Sequence, residues 1–164
     1  MAMTLCLIGF QGAGKTTVGA VLSKHLRLPF HDLDQELSNK FHCSVPTLFQ
    51  KVKETTFREL EHDLLQEFSS RPCVIACGGG VTNALSCLPV SVKSIYLFRP
   101  FHVVWDDISR RNTLPQWLDA SSPFQSFEKC WKTRHLVFLT HAKHLVRVYK
   151  KSPLEDALRI LSIL

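Results

Sequence analysis

Lys15 and Thr16 close the segment Gly9-Phe10-Gln11-Gly12-Ala13-Gly14-Lys15-Thr16, a Gly-x4-Gly-Lys-Thr spacing whose chemistry is the holding of a polyphosphate. Glycines permit a tight turn whose backbone N–H groups converge on an anion, and a following helix adds its positive N-terminal end. Lys15 would neutralise the outer phosphates of a nucleotide, and Thr16 would set a hydroxyl on Mg²⁺. Gly12, Ala13, Gly14, Lys15, Thr16 and Thr17 are therefore candidate nucleotide-binding residues.

Three further groups have useful chemistry. Asp32 and Asp34 stand two apart after a short apolar stretch, so their carboxylates can serve different ligands. One would reach Mg²⁺, while the other would take a hydrogen bond or proton from an acceptor hydroxyl; alternatively, Asp32 only caps a helix over residues 33–40. Arg58 and Glu61, three apart in a helical stretch, are either a surface ion pair or a carboxylate clamp oriented by its glutamate. Gly78-Gly79-Gly80 is a loose turn, or a place where a polar ring approaches bare backbone.

The elements that must position these groups alternate. A buried strand over Leu5–Ile8 precedes a helix over residues 17–26, with Val18, Val21, Leu22 and Leu26 on one face. A second strand is expected at 28–30 and one helical stretch at 45–68. A third strand follows at 72–76, a fourth at 93–98, a helix at 101–111, a last strand at 145–149 and a closing helix from Pro153. Such alternation predicts an α/β three-layer sandwich with a central, mainly parallel five-stranded sheet. Strand C-terminal ends then gather the phosphate loop, the aspartate pair and the triple glycine.

The 164 residues, 45% of them hydrophobic, suit one domain spanning 1–164. A formal charge of +6 fits a polyanionic ligand, and no basic run longer than a pair suggests nucleic acid. Six cysteines without a CxxC pair and eight scattered histidines predict neither a disulfide framework nor structural zinc. No apolar run approaches the ~20 residues of a membrane span, and the start of the chain reads as a strand, so a cytoplasmic protein is expected; its size and the lack of a spare apolar helix suggest a monomer. Residues 112–126, with two prolines and little periodicity, are expected to form a lid over the phosphates, an idle surface loop being the alternative.

In this order and spacing, the phosphate loop, Asp32/Asp34, Glu54-x-x-Phe57-Arg58-x-x-Glu61, Gly78-Gly79-Gly80 and Arg134 resemble shikimate kinase over essentially the whole chain. The resemblance implies a phosphate-loop kinase fold of the nucleoside-monophosphate-kinase type. It also implies transfer of the ATP γ-phosphate, with Mg²⁺, to the 3-hydroxyl of shikimate. By motif position Lys15, Asp34 and Arg134 would be catalytic, and Asp34, Arg58, Gly79, Gly80 and Arg134 would bind shikimate. Thr16 and Asp32 would place the metal, and Arg110 would lie near the adenine. Lys53 replaces a family glycine, so helical backbone is expected there. Leu114-Pro115-Gln116-Trp117-Leu118 lacks the family's lid arginine, for which Arg111 and Lys132 are the candidate substitutes. A gluconate or nucleoside-monophosphate kinase, or a non-catalytic nucleotide-binding protein, are the alternative readings.

Overall fold

The structure, a computed structural model, describes residues 3–110, 114–115, 118–149 and 152–164. Its sheet has the order β2-β3-β1-β4-β5, with β1 Leu5–Ile8, β2 Phe30–Asp32, β3 Val74–Ala76, β4 Lys93–Phe98 and β5 His144–Arg147. Every pairing is parallel, including β1 against β3 (Leu5 opposite Val74) and against β4 (Leu5 opposite Lys93), so the expected mainly parallel sheet has no antiparallel edge among the described residues.

β1 is buried throughout because it is the middle strand and both its faces are covered. Its alternate residues feed two cores. Cys6 and Ile8, with Ile75 and Tyr96, pack under helices α2 Leu33–Phe41, α3 Val45–Lys51, α4 Glu54–Ser69, α5 Phe101–Ser109 and α6 Pro123–His141. Leu5 and Leu7, with Val74, Ile95 and Leu97, pack against α1 Lys15–Leu26 and α7 Pro153–Leu161. Helices thus cover both faces of the sheet, and all strand C-terminal ends meet along one margin, where the site is built.

Several boundaries differ from the sequence expectation, and two matter for the site. The strand expected at 28–30 lies at Phe30–Asp32. Arg27 ends α1 in a left-handed conformation and the Leu28 N–H bonds back to the Ser23 carbonyl, so Leu28 belongs to the helix stop. That shift puts Asp32 at the last strand position, where its side chain caps α2 by accepting from the N–H groups of Asp34 and Gln35.

The stretch expected as one helix over 45–68 is two. Val52 (φ −112°, ψ 155°) and Lys53 (φ −65°, ψ 152°) are extended, which also corrects the helical expectation at Lys53. In one unbroken helix Phe49 and Phe57 would be about 12 Å apart along the axis. The break brings their rings to 5.1 Å between centroids and starts α4 at Glu54, a carboxylate in the favourable first turn.

α1 begins at Lys15, inside the phosphate loop, and not at Thr17. α5 stops at Ser109, β5 starts at His144, and a short 3-10 helix, not expected from the sequence, spans Asn83–Cys87. The segment expected as a lid over 112–126 ends sooner, because Pro123 opens α6 at a position that needs no N–H partner. Just before it, Asp119 accepts hydrogen bonds from Ser121 and Ser122, and Leu118 is buried in the larger core. Arg111, Asn112, Thr113, Gln116 and Trp117, on which part of the lid expectation rests, lie outside the described residues.

Candidate active site

At the end of β1 the chain turns on Gly9, Gly12 and Gly14, all with left-handed φ (145°, 74° and 87°). At Gly9 a side chain is excluded twice over, since a Cβ would also stand 2.7 Å from the Leu97 carbonyl oxygen of β4. Lys15 Nζ, buried in the turn, donates to the carbonyls of Gly9 (2.8 Å) and Phe10 (2.9 Å). Burial lowers its pKa to about 8, against the opposing pull of Asp34. The α1 N-terminus carries no acidic residue of its own in its first turn, and its positive end faces the cavity.

The loop lines a cavity of about 480 Å³ whose wall includes Gly12–Val18, Asp32, Asp34 and Gly79, with Pro153 and Asp156 from α7. Thr16 Oγ1 donates to Asp32 Oδ2 at 2.6 Å, joining the two residues expected to serve a metal. Hydroxyl and carboxylate oxygens in a solvent-accessible cavity are hard donors of the kind Mg²⁺ accepts while keeping several waters, so the residues fit that ion. Asp34 is open to water-sized molecules from the cleft yet enclosed by protein on a wider scale. Its pKa is raised, first by burial and then by the Asp32 charge.

A second, wider cavity of about 910 Å³ lies between α4, the turn after β3, and α6, and its lining includes Glu54, Arg58, Gly80, Lys129 and Arg134. Arg58 Nη1 donates to Glu61 Oε2 at 2.5 Å, and its Nη2 stands 3.4 Å from Glu54. The guanidinium lies 5.5 Å from the Phe57 ring centroid and 5.9 Å from that of Phe49, so the α3–α4 break also places it. Glu61 is 2% exposed, which rules out the ordinary surface-pair alternative. Burial raises its pKa, and Arg58 opposes the shift. Arg134, reaching over from α6, donates to the Gly79 carbonyl at 3.1 Å and packs 5.3 Å from the Phe10 ring centroid.

The triple glycine separates the two cavities: Gly79 lines the first and Gly80 the second. A Cβ on Gly78 would meet Glu61 Oε1 at 2.8 Å and Asp34 Oδ1 at 2.9 Å; on Gly79, the Gln11 backbone N at 3.0 Å; on Gly80, Arg58 Nη1 at 2.8 Å. The bare backbone thus lets the protein's own groups approach from both sides: side-chain ends that a methyl would displace at Gly78 and Gly80, and main chain at Gly79.

Of the sequence candidates, Gly12 to Thr17, Asp32, Asp34, Arg58, Gly79, Gly80 and Arg134 all line one cavity or the other. Arg110 does not. It ends α5 with its side chain 82% exposed, 4.0 Å from Asp106. Lys132 pairs with Glu128 at 2.8 Å on the outside of α6 and also stands apart from both linings, while Arg111 lies outside the described residues. Sequence reasoning passed over Gln11, Cys77 and Lys129 as lining residues, and at Gly78 it expected the approach of a ring where Glu61 and Asp34 are the close neighbours. Lys129 gave no spacing signal, since it stands five residues before Arg134 on the same helix, outside the i,i+3 and i,i+4 spacings that share a face.

The sequence model of the shikimate kinase family matches residues 11–164. The shikimate kinase of Lactococcus lactis is 31% identical over 163 residues, 96% of each chain, and that of Aquifex aeolicus is 29% identical over 161 residues, 96% of this chain and 92% of its own. Among solved structures, a shikimate kinase from Acinetobacter baumannii in complex with shikimate is 28% identical and superposes with a TM-score of 0.88, covering 99% of this chain and 93% of that one. With its paired cavities and a match that runs through both, this chain belongs to the shikimate kinase family, the ATP-dependent phosphotransferases that act on an alcohol group.

Proposed function

We propose that this chain transfers the γ-phosphate of ATP to the 3-hydroxyl of shikimate, with the phosphate-loop cavity holding ATP and the Arg58–Arg134 cavity holding the acceptor. The observation that carries this reading is a pair of arginines, Arg58 and Arg134, lining one cavity that the Gly79–Gly80 backbone divides from the phosphate-loop cavity. A carboxylate gripped by Arg58 and Arg134 would fix a ring whose hydroxyls face Asp34. Asp34, with its raised pKa, is suited to orient the hydroxyl and take its proton as the oxygen attacks phosphorus in line. The new bond joins that oxygen to the γ-phosphorus, the bond to the β,γ-bridging oxygen breaks, and ADP departs.

Lys15 and the loop N–H groups would neutralise the phosphates, and Thr16 and Asp32 would hold Mg²⁺ beside them. When bound, that ion supplies further charge neutralisation at the phosphates. Arg134 touches both halves, since it lines the acceptor cavity and bonds the Gly79 carbonyl. The segment from 112 to Ser122 serves as the lid, and the chain works as a single-domain monomer. No helix among the described residues is long and apolar enough to cross a membrane. A coupled assay of ADP release with shikimate, gluconate and AMP offered separately tests the reading. Turnover with shikimate alone is expected; shikimate-independent turnover, or none with any acceptor, overturns it.

A further inference from the structure

β4 leads directly into Arg99, and the proline at 100 disfavours helical backbone at the residue before it, so the chain leaves the strand without turning back. This strand end lies against the start of the phosphate loop, where the Leu97 carbonyl and Gly9 approach too closely for a side chain. Arg99 is only 4% exposed. A guanidinium so buried needs partners, because its desolvation is costly otherwise. It has two on different elements: Nη1 donates to Asp107 Oδ2 of α5 at 2.7 Å and to the Gly12 carbonyl at 3.1 Å. Its Nε has no partner among the described residues.

The Gly12 carbonyl precedes α1, and Gly12 itself is left-handed (φ 74°), so the helix ladder does not hold this peptide unit. Arg99 lines neither cavity and can reach a bound nucleotide only through the loop backbone. We propose that Arg99, tethered by Asp107, is a positioning residue for ATP. It fixes the Gly12–Ala13 peptide unit, and with it the curvature of the loop that meets the phosphates. This rests on the reading of Gly9–Thr16 as the ATP phosphate site.

The test is steady-state kinetics with both substrates, together with ATP calorimetry, on the full chain and on Arg99→Ala, Arg99→Lys and Asp107→Asn. Arg99→Ala raises KM for ATP about tenfold or more, while KM for shikimate stays within about twofold of its starting value. Arg99→Lys recovers part of the loss, since an ammonium keeps the charge and can donate to more than one acceptor, as Nη1 does, but from a shorter stem that does not reproduce the aim of the guanidinium. Asp107→Asn, which keeps the guanidinium but weakens its tether, gives an intermediate rise and carries the test with Arg99→Lys if Arg99→Ala does not fold. An unchanged KM for ATP in the folded variants overturns the proposal, as does an equal rise in both KM values, which marks a merely structural role. Failure of the unsubstituted chain to bind ATP overturns the phosphate-site reading and this proposal with it. Normal ATP binding by that chain, with the variants unaltered, overturns the proposal alone.

Discussion

On the phosphate side, the unbroken run Gln11–Val18 supplies more than half of the lining residues, and the expected ligands are main-chain N–H groups plus one lysine. On the acceptor side, Glu54 and Arg58 come from α4, Gly80 from the turn after β3, and Lys129 and Arg134 from α6. Backbone donors stay in place when a single side chain lining the cavity is changed, whereas a clamp drawn from three elements depends on each side chain and its orienting partner. The buried Glu61 behind Arg58 is such a partner, and the Arg58 guanidinium has a fixed direction because Glu61, Phe57 and Phe49 all hold it. ATP affinity should therefore be lost broadly only when the loop itself, or the Arg99–Asp107 pair that holds its Gly12 carbonyl, is altered, and acceptor affinity whenever one clamp residue is.

The strongest way to break this contrast is at Lys15, the one phosphate-side side chain with a full charge in the loop. Lys15→Met should lower kcat/KM by about 10²–10³-fold, the scale of losing one donor to developing charge. Stopped-time coupled assays at saturating shikimate check it, and a loss below tenfold would assign the charge to another group.

A finer cut runs through the partition. Gly79→Ala places a methyl against the Gln11 backbone nitrogen, which cannot swing aside, and so should raise KM for ATP by about tenfold. Gly80→Ala meets only the end of Arg58, which can move but then leaves its clamp position, so KM for shikimate should rise instead. Both variants raising the same constant would remove the boundary drawn between Gly79 and Gly80.

The smallest effect is in pH dependence. Lys15 serves the phosphates in its protonated form, and its pKa of about 8 in the free protein means that kcat/KM for ATP falls as pH rises through that value. Bound phosphates favour the charged amine, so the corresponding limb in kcat lies at higher pH. On the acid side, Asp34 acts ionised and its pKa is raised in part by Asp32, so Asp32→Asn should move the acid limb to lower pH. An acid limb unmoved by that substitution would leave burial as the whole cause.

How much of this was legible follows the same division. The phosphate loop was readable because its chemistry is local: glycines, lysine and threonine at fixed spacing between a strand and a helix dictate the turn on their own. The aspartate pair was readable as a strand-end feature although β2 was placed two residues early, since the Arg27 helix stop is a matter of backbone conformation that residue types announce weakly. The acceptor clamp was different. From spacing alone Arg58 and Glu61 were equally a surface pair, and the resemblance to a family tipped the reading. Glu61 is buried and Arg58 half-buried, and the break at Val52–Lys53 that sets Phe49 beside Arg58 is concealed by the continuous apolar pattern of 45–68. Arg99 was missed because nothing near it in sequence suggests a partner; Gly12 is brought to it by the parallel pairing of β1 with β4.

The most direct test of the carboxylate clamp removes the charge from the ligand as well as from the protein. Shikimate and its methyl ester would each be titrated calorimetrically into the unsubstituted chain and into Arg58→Ala, closing a thermodynamic cycle. The account predicts that the ester and the substitution each weaken binding by about 10–100-fold, and that together they cost far less than the product of the two. An ester that binds the unsubstituted chain as tightly as shikimate, or losses that simply multiply, would contradict it.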